Sequence, residues 1–194
     1  MLNSMPNNQT AKPPKNKGFI STAKECAYLA VFVALQIAVQ FALSFIPGVE
    51  LVTLLFVCYS LVMGVRRGVI SATAFSLLRQ LVFGFQPTVL VLYLIYFNLL
   101  TLIFGLIGKR LIASIKTLFI IVIIACVCTA CFTLIDNILT PVWYGYSIKA
   151  MQVYFNASMP FMLSQVICSA LSVSLLGLPL IKVFTGIKNN LVNK

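Results

Sequence analysis

Beyond residue 22 the chain is a succession of long apolar runs punctuated by glycine, proline and basic residues. The pattern predicts six helical spans near 24–46, 49–64, 68–84, 88–107, 115–139 and 158–184. Several approach the roughly 20 residues that cross a hydrocarbon core, and the expected fold is an all-α integral membrane protein with six transmembrane helices. The second and third spans hold only 16 and 17 residues. Such short spans stand nearly upright, thin the bilayer or are partly broken. Residues 1–22 are polar, rich in Lys and Pro and without period, which predicts a disordered cytoplasmic tail. The apolar run Ala27–Ile46 is too long for the core of a secretory signal and predicts a retained helix. The expected division is a membrane domain over 23–186 with a short cytoplasmic tail at 187–194, and one long, aromatic-rich connection from Thr140 to Ala157.

Composition supports the class. Hydrophobic residues make up 61% and charged residues 9%, against roughly 25% charged in an ordinary soluble domain. The mean hydropathy is +1.05. A net charge of +11 would otherwise suggest a nucleic-acid partner, so the placement of the bases decides its meaning. With the N-terminal tail inside, twelve of the 14 Lys and Arg residues fall on cytoplasmic segments, leaving Lys149 outside and Arg79 within a span. The charge is then topological, both termini are cytoplasmic, and no nucleic acid is implied.

Several chemistries are excluded. The chain has no histidine, hence no imidazole nucleophile activation, histidine metal site or histidine proton relay. No phosphate-binding G-x-x-x-x-G-K-[ST] loop occurs. Cys126, Cys128 and Cys131 lie deep in the fifth span and read as small hydrophobes; with Cys26, Cys58 and Cys168 scattered, no disulfide, metal or cofactor is expected. A non-enzymatic protein is the expectation.

Charges and amides inside an apolar bundle are costly and mark function by default. The predicted topology gathers them at the outer end: Glu50 opens the second span, Asp136 closes the fifth, and Arg79 sits five residues inside the outer end of the third. Gln40, Gln80, Gln86, Asn137, Asn156 and Gln165 share that half, Gln36 and Asn98 lie nearer mid-depth, and Trp143, Tyr144 and Tyr146 overhang from the long connection. A pocket for a polar small molecule needs such groups. The candidate substrate-binding residues are Gln40, Glu50, Arg79, Gln80, Tyr93, Asp136, Asn137, Trp143 and Gln165. Plainer roles exist for them: an aromatic belt, interfacial acids, and an Arg79–Glu50 pair.

The first span carries Ala23, Ala27, Ala30, Ala34, Ala38 and Ala42, within an arc of about 120°. Gln36 and Gln40 lie on the opposite side. Either the glutamines line a pocket and the alanines face a partner, or the alanines pack on a sibling helix.

Size, six spans with both ends inside, the Lys-bearing tail and the A-x-x-x-A series at Ala23/Ala27, Ala30/Ala34 and Ala34/Ala38 resemble the substrate-binding S component of energy-coupling factor (ECF) transporters, the prokaryotic vitamin-uptake systems. The Pro47–Thr53 turn into the second helix is similar too. The resemblance implies a cell-membrane subunit that captures a vitamin-like micronutrient at the outer face. It implies partners as well: a transmembrane coupling subunit, contacted through Ala23, Ala27, Ala30 and Ala34, and two ABC ATPases. The Phe45–Glu50 turn and the Thr140–Asn156 connection would gate the pocket. A stand-alone secondary transporter is the alternative, although the chain shows no internal repeat.

Overall fold

The structure, a computed structural model, describes residues 23–46, 51–108 and 115–192. The tail before Ala23, Glu50 and most of the turn around it, and the basic stretch Lys109–Arg110 lie outside these. Six helices follow one another: α1 (Ala23–Leu43), α2 (Val52–Met63), α3 (Val65–Phe83), α4 (Pro87–Ile107), α5 (Ile115–Trp143) and α6 (Ile148–Val192). No strand occurs among the described residues. In α1, α4, α5 and α6 the helices are long and apolar enough to cross a membrane, which fits a multi-pass membrane protein.

The remaining pair explains the short spans. With 12 residues, α2 is only about 18 Å long, and eleven of those residues are buried. It packs against all five other helices. Around it α1, α3, α4, α5 and α6 are neighbours in that order, and the Phe32–Phe184 contact, with ring centroids 5.6 Å apart, closes the ring from α6 to α1. A helix apolar on every side is stable only at such a centre. Phe56 of α2 anchors it, edge-on to Phe32 and Phe75 and 4.6 Å from the Phe97 ring.

Local sequence explains the junctions. A single residue, Gly64, separates α2 from α3 with φ +84°, a conformation side chains resist. Its N–H closes α2 on the Ser60 carbonyl at 2.9 Å and its carbonyl opens α3 by accepting from the Gly68 N–H at 3.1 Å. Pro87 starts α4, where its missing donor costs nothing. Gly105 lies so close to the α2–α3 junction that a Cβ there would sit 2.6 Å from the Val65 nitrogen.

The expected connection from Thr140 to Ala157 is largely helical. Pro141 falls within the last turn of α5, and the turn is made by Tyr144–Ser147, where Gly145 takes φ +63°. Pro160 and Pro179 likewise lie inside α6. The expected sixth span 158–184 lies within a 45-residue helix, about 68 Å long, which continues through residues 187–192.

Helix direction sorts the residues to two ends. Glu25, Val62, Arg67 and Lys188 meet at one: Arg67 pairs with Glu25, and the Lys188 Nζ donates to the Val62 carbonyl at 2.8 Å. Gln40, Arg79 and Tyr93 meet at the other. Gly105→Ala is expected to weaken packing of α4 on the α2–α3 junction by about 1–3 kcal/mol, whereas Gly186→Ala, with no atom within 4 Å of the added Cβ, is neutral or slightly stabilising. Thermal unfolding in detergent followed by circular dichroism checks both.

Candidate functional site

Arg79 lies four residues before the end of α3, about 6 Å along the helix, and is 9% exposed. Three neighbours fix it. Its Nε donates to Gln40 Oε1 of α1 at 3.0 Å, and its Cζ is 4.6 Å from the ring centroids of both Phe83 and Tyr93. Cation–π contacts of this kind grow as water is excluded. Gln40 then uses its other end, donating from Nε2 to the Tyr93 hydroxyl at 2.9 Å. That bond orients the amide so that its oxygen faces the guanidinium. Tyr93 is held in turn by Phe75, Phe97 and Phe132.

No carboxylate among the described residues neutralises this charge; the Arg67–Glu25 pair belongs to the opposite end, and Glu50 lies outside the described residues. Arg79 Nη1 is buried and makes no hydrogen bond among the described residues. It has company. Gln36 of α1 is fully buried with neither amide atom bonded, and the same holds for the Asn137 amide of α5. Thr53 Oγ1 of α2 and Gln80 Nε2 of α3 are also buried and unbonded. Measured along their own helices, Gln36, Arg79, Gln80 and Asn137 lie three to seven residues from the Arg79 end, and Thr53 is the second residue of α2. Buried polar groups are nearly always satisfied, and leaving one unmade costs about 1–3 kcal/mol. Four helices thus present unsatisfied donors and acceptors at one end of the bundle.

The other expected site residues divide. Gln80 also closes the α3–α4 turn, its Oε1 accepting from the Gln86 N–H at 3.0 Å. Asp136 accepts from the Thr140 hydroxyl at 2.6 Å and from the Tyr154 hydroxyl at 3.0 Å. Gln165 accepts from Thr133 at 3.0 Å. Asp136 and Gln165 border a cavity of about 310 Å³ between α5 and α6, on a group of contacts separate from the Arg79 triad. Phe132 joins the two: it lines the cavity and touches Tyr93, with ring centroids 5.9 Å apart. Trp143 ends α5 and is half exposed; it does not overhang from a long loop, and Tyr144 and Tyr146 occupy the short turn. Thr53, Phe83, Thr133 and Tyr154 were not singled out by sequence reasoning. Hydroxyls and rings are common in apolar spans and announce nothing by themselves, and Tyr154 lay in the segment read as a loop.

On α1, Ala23, Ala27, Ala30, Ala34, Ala38 and Ala42 are all exposed, while Gln36 is buried and Gln40 half-buried. Of the two arrangements open to this helix, the protein adopts the one with the glutamines inward.

Gln40→Leu removes the acceptor from Arg79 and the donor from Tyr93, and is expected to destabilise the protein by about 1–3 kcal/mol. Adding Arg79→Met should recover part of that loss, because the stranded charge goes too; thermal unfolding of the two variants against wild type reads the difference. Comparison with protein families, curated proteins and solved structures finds no match for this chain.

Proposed function

We propose that this protein is a membrane-embedded binding subunit that captures a small polar solute at the Arg79 end of its helix bundle and passes it inward with partner subunits, in the manner of an ECF S component. The observation that carries the reading is the set of buried, unbonded groups at that end: Arg79 Nη1, the Gln36 and Asn137 amides, Gln80 Nε2 and Thr53 Oγ1. A solute that carries both acceptors and donors offers the kinds of partner these groups lack. The guanidinium, unpaired with any carboxylate among the described residues, favours a ligand bearing a carboxylate or phosphate, to which it offers planar, charge-assisted hydrogen bonds.

Charge supports the orientation. The described Lys and Arg residues other than Lys149 and Arg79 lie at the end opposite the triad, which the positive-inside tendency turns to the cytoplasm. The exposed alanine flank of α1 supports the assembly: it is free of large side chains in the register of Ala23, Ala27, Ala30 and Ala34 and suits close approach of a coupling helix. In this reading ATP hydrolysis belongs to the partner ATPases, in the membrane of a prokaryotic cell.

Two variants test the parts separately. Mass spectrometry of small molecules that co-purify with the protein should find a bound organic anion, absent from Arg79→Ala and strongly reduced in Gln36→Leu, with both variants retaining helix content. Ala27→Trp or Ala30→Trp should keep the bound molecule but lose co-purification with a coupling subunit and its ATPases. An identical small-molecule inventory in wild type and Arg79→Ala rejects the site.

A further inference from the structure

The opposite end of the bundle holds a second cavity, about 290 Å³, bounded by the ends of α2 and α4, the start of α5 and the last third of α6. Its walls are of two kinds. Leu61, Val62, Ile121 and Ile181 make an apolar side, whereas Thr117, Thr185, Lys188 and Asn189 bring hydroxyl, ammonium and amide groups to it. We propose that this cavity binds the headgroup of an anionic phospholipid with a polyol headgroup, the phosphate against Lys188 and the acyl chains leaving along the apolar wall.

Several features point to that ligand. Lys188 is half-buried, and its hydrogen bond to the Val62 carbonyl, the one it makes among the described residues, leaves two further N–H donors on an ammonium held in place. In the sequence, Lys109 and Arg110 directly follow Gly108, and Lys116 directly precedes Thr117. The acid described at this end, Glu25, is paired with Arg67. Basic pockets between membrane helices on the cytoplasmic side suit phosphate headgroups.

The helix ends also choose between sources of phosphate. Both α2 and α4 terminate here, and their carbonyl ends disfavour a bare anion. A glycerol-type headgroup answers both demands, its hydroxyls donating to carbonyls while its phosphate accepts from Lys188. Free phosphate offers little for the apolar wall.

The test is native mass spectrometry of the purified full chain given equal amounts of phosphatidylglycerol and phosphatidylcholine. Phosphatidylglycerol should be retained in preference by about fivefold or more, and Lys188→Gln should lower that preference by about fivefold. Lys182→Gln, which removes an equal charge from an exposed position outside the cavity, should leave it within about twofold of wild type. If Lys188→Gln does not fold, Asn189→Leu, at an exposed cavity position, serves in its place and should lower retention. Equal retention of the two lipids, equal effects of the two lysine variants, or displacement of the lipid by millimolar inorganic phosphate overturns the proposal.

Discussion

A guanidinium beneath the end of an apolar helix bundle has to be held by something, and the arrangement of α1, α3 and α4 at that end follows from how this one is held. Arg79 is held by one amide oxygen and two aromatic faces, without a carboxylate partner among the described residues. That choice matters. A salt bridge would neutralise the charge, while an amide and two rings position it and leave the guanidinium able to receive an anion. Gln40 is the hinge of the set, since its two ends tie α3 to α4 through α1.

The scaffold makes such a site affordable. By placing α2 inside a ring of five helices, the fold gathers Phe32, Phe56, Phe75 and Phe97 at the centre and keeps Arg79 close to an end of its own helix. The same plan separates the charges: Arg67–Glu25 and Lys188 secure one end, where the helices meet at Gly64 and Gly105, and the guanidinium occupies the other. One end is thereby built for close backbone packing and cation display. The other carries the unbonded Arg79 Nη1, Gln80 Nε2 and Asn137 amide.

Much of this was legible in the sequence because hydrocarbon imposes simple rules. Six apolar runs predicted six helices, and the alanine and glutamine faces of α1 left only two packings. Gln40, Arg79 and Tyr93 come together because each is costly or amphipathic and each lies near the same end. Asp136 and Gln165 share that half of the chain's span but join α5–α6 contacts of their own, which a one-dimensional count of depth does not resolve. The long connection is the part the sequence hides, because Pro141 and the aromatics around it suggest a loop, whereas Pro141 lies within the last turn of α5 and Pro160 and Pro179 lie within α6. Gln36 stood out as polar, yet that neither of its amide atoms is bonded emerges only when the neighbouring helices are in place.

The central claim is that the buried polar groups at the Arg79 end are the receptor for a solute. A high-resolution electron-density or cryo-EM map of the protein isolated gently from its own membrane tests it most directly. The account predicts density for a non-protein molecule bearing an anionic group within hydrogen-bond distance of Arg79 Nη1 and of the Gln36 or Asn137 amide. A map in which Nη1 is bonded to a protein carboxylate such as Glu50, with the amides closed on one another, would contradict it.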